Sequence, residues 1–206
     1  MQSQQTLLEN ILSILSVEVS SITPEMQEKI NLLATDFDAS SDILNYIEHI
    51  ARITGKLQSP ALEDFMDEIN IIIHKLKFIS KEDRPKVICI ELDDYLSVIK
   101  SAYLLDSIAL TGGNPLEAKS TEVDRIIVID RHQQAFSKLP SILADPILAH
   151  SPAIEKNQVY IINKADFGNC PGKDYLQELE ILAEIIQPKY FIFGHEGASW
   201  LKFELA

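Results

Sequence analysis

The sequence has little cysteine, glycine, proline or positive charge. Only two cysteines, Cys89 and Cys170, occur in 206 residues, one inside an apolar run and one beside a proline, so no disulfide framework is indicated. Seven glycines and nine prolines exclude a collagenous or low-complexity chain. With 18 basic against 31 acidic residues, the formal charge of −13 opposes contact with a phosphate backbone, and no nucleic-acid partner is expected. No apolar run approaches the ~20 residues that cross a bilayer. The opening MQSQQTLLENILSILS carries no lysine or arginine and Glu9 interrupts its apolar stretch, which argues against an export signal and sets the expected location as cytoplasmic.

What is present reads as one globular domain, or one domain with a small satellite. Leu7, Leu8, Ile11, Leu12, Ile14 and Leu15 recur at helical spacing and predict a helix ending near Ser16. Thr23-Pro24-Glu25 offers a cap, a first-position proline and a first-turn acid, so a short second helix follows. NLLATDF (31–37) predicts a short strand. Ile43, Ile47, Ile50, Ala51 and Ile53, closed by Gly55, predict a helix over 42–54. The stretch from Pro60 to Ile79 has no internal glycine or proline and predicts a helix of about 30 Å.

Beyond it, short β-branched runs alternate with helical patterns. VICIE (87–91), RIIVID (125–130) and QVYIIN (158–163) predict strands, separated and followed by helices near 94–110, 132–139 and 172–187. That alternation implies an α/β fold with a mainly parallel sheet and right-handed crossovers. Thr111-Gly112-Gly113-Asn114 follows a helix rather than a strand, so it reads as a helix stop and not a phosphate cradle. The tail from Tyr190 onward is compatible with an edge hairpin or a packed extension.

KNQVYIINKADFGNCP (156–171) with GKDYLQELEILAEIIQPKYF (172–191) resembles the C-terminal end of the class III periplasmic substrate-binding proteins, which serve importers of cobalamin, haem and iron–siderophore chelates. RPKVICIE (84–91), LDSIALTGGNP (105–115) and DRIIVID (124–130) resemble, in order, the family's first C-lobe strand, the helix before its glycine turn, and a further strand. DILNYIEHIARITGK (42–56) and the long helix after it resemble the last N-lobe helix and the rigid inter-lobe helix. The resemblance covers about 35–191.

It implies a Rossmann-like C-terminal lobe over 81–206, a spine helix over 59–80, and a reduced, mainly helical N-terminal lobe over 1–58. It also implies a non-enzymatic binding module with no cofactor, taking a metal chelate such as cobalamin, haem or a siderophore. The short N-terminal part, the short connection 114–124 and the missing export signal are departures that argue against a conventional importer role. They favour a truncated relative able to form a homodimer through exposed apolar surface.

In an open parallel sheet, ligands meet the loops at the carboxyl ends of strands. Those loops hold Glu91, Asp93, Asp94 and Tyr95; then Asp130, Arg131 and His132; then Asp166, Phe167, Asn169 and Cys170. The resemblance places Asp93, Asp94, Tyr95, Asp130, Arg131, His132, Phe167 and Asn169 against ligand. Each has a plainer reading: acids just before helices act as caps, and Arg131-His132 is either a carboxylate- or phosphate-binding pair or a solvated surface pair. Two further readings stand beside this one. The chain could be a protein-partner or self-association domain with no small-molecule ligand, or a small cytosolic hydrolase holding a divalent ion on Asp93, Asp94 and Asp130. The five histidines, His49, His74, His132, His150 and His195, show no paired ligand spacing, so no metal site is expected. His195-Glu196 reads as a turn, and Cys170 has no local base that would make it a nucleophile.

Overall fold

Val87, Ile88, Cys89 and Ile90 are buried, as are residues 126–129 and 159–162, because each run lies in a sheet covered on both faces. The structure is a computed structural model that describes residues 2–33, 37–92, 96–164, 166–168 and 175–203. Its strands are β1 (Lys86–Glu91), β2 (Asn114–Pro115), β3 (Arg125–Ile129), β4 (Val159–Ile162) and β5 (Trp200–Phe203). They form one sheet in the order β2-β1-β3-β4-β5, with three parallel pairings and an antiparallel β4–β5 edge. Register runs from Val87 opposite Arg125 to Glu91 opposite Ile129.

Helices α5 (Ala102–Leu110) and α8 (Tyr175–Ile186) cover one face: Leu104, Ile108, Ile181 and Leu182 pack on Val87, Cys89, Ile127 and Ile129. Helices α6 (Ala135–Leu143) and α7 (Pro152–Glu155) cover the other through Ala135, Leu139, Ile142 and Ala153. A third apolar cluster joins the N-terminal helices α1 (Gln2–Ile14), α2 (Pro24–Asn31), α3 (Ser40–Ile53) and α4 (Pro60–Leu76) to Tyr103 of α5 and to Tyr175, Leu179 and Ala183 of α8. The N-terminal helices therefore form an outer layer over α5 and α8. Thr23 and Ser59 cap α2 and α4 by accepting from the backbone N–H groups of Met26 and Leu62, each cap contributing about 1 kcal/mol.

Several expected elements are displaced. No strand forms over 31–33: Asn31 ends α2 and Leu32 keeps helical backbone as its C-cap, while 34–36 lie outside the described residues. The spine helix stops at Leu76, about 25 Å from its start. The helix expected from 94 begins only at Ala102. Before it, Leu96 takes φ +52°, and the chain returns antiparallel along β1, with Glu91 N donating to Ser97 O at 2.9 Å and Ile99 N to Cys89 O at 3.0 Å. The tail forms an antiparallel edge strand, not a hairpin. Buried Glu184 of α8 fixes its approach by accepting from the N–H groups of Phe193, of Gly194 at 2.6 Å and of the Trp200 indole at 2.8 Å.

Candidate functional site

The chain leaves β1 for β2 on one side and then places β3 on the other side of β1, with α5 and α6 on opposite faces. The connections diverge where β1 and β3 end, which opens a crevice at that topological switch point. Glu91, the last residue of β1, and Asp130 and Arg131, which follow β3, stand at its rim.

Asp130 is 5% exposed, and its carboxylate accepts from three backbone N–H groups: His132 at 3.3 Å, Gln134 at 2.8 Å and Ala135 at 2.8 Å. It holds the turn, in which Gln133 takes φ +56°, and the start of α6. The mostly buried Arg131 side chain donates from Nε to Glu91 Oε1 at 2.9 Å and from its second terminal nitrogen to Phe167 O at 3.1 Å. One guanidinium thus ties together the loops after β1, β3 and β4. Lys138, one helical turn into α6, reaches back to Leu92 O at 3.4 Å. These residues and exposed His132 line an open cavity of about 180 Å³ carrying charges of both signs.

The loop after β4 is held from behind. Glu178 of α8, buried, accepts from Tyr103 Oη at 2.9 Å and from Gly168 N at 3.3 Å. Burial first, and then the Glu178 charge, keep the Tyr103 phenol protonated well above its ordinary range. Gly168 has φ +70°, a conformation that costs a residue with a Cβ.

The structure brings Glu91, Asp130, Arg131 and His132 together. Two expected ligand contacts are corrected. The Phe167 ring is fully buried among Leu104, Ile129 and Ile162, so its carbonyl and not its ring faces the site. Asp130 spends its carboxylate on backbone donors, which makes it a cap for the turn and the start of α6 rather than a group reaching out to ligand. Asp93, Asp94, Tyr95, Asn169 and Cys170 lie outside the described residues. Among the described residues, no group of three His, Cys, Asp or Glu side chains could hold a metal ion.

Sequence reasoning missed Lys138 and Glu178. The signal for Glu178 was available: an acid on a helix whose neighbours Leu179, Ile181 and Leu182 are fully buried needs a partner inside the fold.

No family model matches the sequence, and no curated protein matches it either. Solved structures do. An ABC transporter substrate-binding protein from Listeria monocytogenes matches with a TM-score of 0.62 at 14% identity, over 89% of this chain and 96% of the other. IsdE of S. aureus, complexed with haem, gives 0.62 at 14% identity over 89% and 97%. CeuE of Helicobacter pylori, in an Ni-His complex, gives 0.55 at 15% identity, over 75% of this chain and 53% of the other.

Proposed function

Starting from the fold of the ABC-transporter substrate-binding proteins, we propose that this chain is a non-enzymatic binding module. It takes a small-molecule metal chelate of the haem, cobalamin or ferric-siderophore kind at the carboxyl ends of β1 and β3. The observation that carries this reading is the coincidence of the switch-point crevice with the Arg131–Glu91 tie, the Lys138 ammonium and the exposed His132 imidazole. The cavity is smaller than the ~300–1,000 Å³ of a closed small-molecule site, so it suits one anionic arm of a chelate, with the bulk of the ligand outside. Carboxylate or catecholate oxygens on such an arm meet the N–H donors at the rim of the crevice.

A melting-temperature screen against haem, cobalamin, cobinamide and ferric siderophores tests it. A ligand at a hundredfold its dissociation constant adds about 2.7 kcal/mol to the folded state. The reading expects at least one chelate to raise the melting temperature, with the gain reduced in Arg131→Ala. If none of them shifts it, the reading is overturned.

A further inference from the structure

Helix α4 buries Leu62, Phe65, Ile69, Ile72 and Leu76 and turns the opposite stripe to solvent. That stripe reads Asp64, Asp67, Glu68, Ile71, His74 and Lys75, all exposed and spaced by three and four residues, and exposed Phe78 follows in the turn after the helix. Ile71 is 49% and Phe78 90% exposed, and Ile192, at 92%, lies on the segment that Lys75 touches through Tyr190 O at 3.4 Å and the face of the Phe191 ring. Exposed apolar side chains gathered in this way mark an interface.

The charge along the stripe identifies what covers it. Its N-terminal half is acidic and its C-terminal half basic, with Ile71 midway. The geometry points to a second copy of this chain, docked as an antiparallel α4–α4 pair about a two-fold axis through Ile71. At that register Asp67 faces the partner's Lys75 and Glu68 faces the partner's His74, each contact occurring twice, as an isologous interface requires. Ile71 meets its own copy on the axis. A parallel pairing would set acid on acid and base on base, so the pattern selects one orientation. In a chain of charge −13, this is a face on which two copies can meet with opposite charges aligned.

Sedimentation equilibrium of the full chain from about 10 to 200 µM at low salt tests this, a range that brackets a helix-sized interface. Wild type is expected to dimerise and to weaken as salt rises. Asp67→Lys and Lys75→Asp each place like charges opposite one another twice per dimer and are expected to weaken association by about tenfold or more. The double variant exchanges the two signs and is expected to recover it. Both positions are exposed, and unchanged melting temperatures confirm that the variants fold. A monomeric wild type, single variants that associate as wild type does, or a folded double variant that fails to recover would each overturn the proposal.

Discussion

Arg131 Nε donates to Glu91 Oε1 across 2.9 Å, so the residue after β3 is anchored on the last residue of β1. The Glu91 side chain is 42% exposed, and such a pair contributes little to stability, below about 1 kcal/mol. The tie matters more for holding the loops after β1, β3 and β4 together. Arg131→Ala is expected to lower stability by about 1–2 kcal/mol, counting the lost bond to Phe167 O, while chelate affinity falls at least tenfold. Urea unfolding and ligand titration on the same variant separate the two effects.

Asp130 supports the site from beneath. Removing its carboxylate in Asp130→Ala leaves the N–H groups of His132, Gln134 and Ala135 without their acceptor and is expected to cost about 2 kcal/mol. Asp130→Asn keeps one acceptor oxygen and should lose roughly half as much. Equal loss in both variants in urea denaturation would show that the cap does not work through these bonds.

The turn after α5 depends on its glycines for different reasons. A Cβ on Gly113 would lie 2.8 Å from Ile108 Cγ2 and 3.0 Å from Val87 Cγ2, both in fully buried side chains that cannot retreat. Gly113→Ala is expected to destabilise by about 1–3 kcal/mol through overpacking. Gly112 has φ +86°, so Gly112→Ala is strained by its backbone and should cost about 1–2 kcal/mol. Thermal melts of the two variants check both.

At alkaline pH the buried phenols govern stability. Burial, reinforced by the Asp106 charge and partly offset by the nearby Ser40 hydroxyl, pushes the Tyr175 phenol up to about 12. Burial and Glu178 raise Tyr103 in the same sense. The unfolded chain releases these protons near pH 10 while the folded one keeps them. The phenols' contribution to stability is therefore fully present below about 10 and falls as pH rises towards 12, by on the order of 2 kcal/mol from Tyr175 alone. Urea midpoints followed from neutral to alkaline pH, with tyrosinate absorbance in parallel, should show this loss. A flat profile would contradict it.

Three strands were legible because runs such as RIIVI and VYII are long enough in β-branched residues to need cover on both faces, and they lie side by side as expected. The long helix α4 was equally plain, although it ends at Leu76 and not at Ile79. Elements decided by tertiary pairing were not. NLL at 31–33 has strand composition, but Asn31 completes α2. Residues 97–99 lie inside a helical pattern, yet pair with β1 because the short β2 reaches only Lys86 and Val87 and leaves the upper edge of β1 open. At the site, the loop positions followed from the strand ends alone. The division of labour did not: nothing local distinguishes an Asp that caps, as Asp130 does, from one that reaches outward, or shows that the Phe167 ring turns into the core.

Backbone amide NMR of the full chain, titrated with whichever chelate raises the melting temperature, locates the ligand relative to the ends of β1 and β3. Shifts confined to residues 91–92, 96–97, 130–134 and 166–168 are the predicted result. Shifts gathered instead on the far end of the sheet, around Pro85, Arg125 and Lys189, or spread over the outer face of α4, would contradict it.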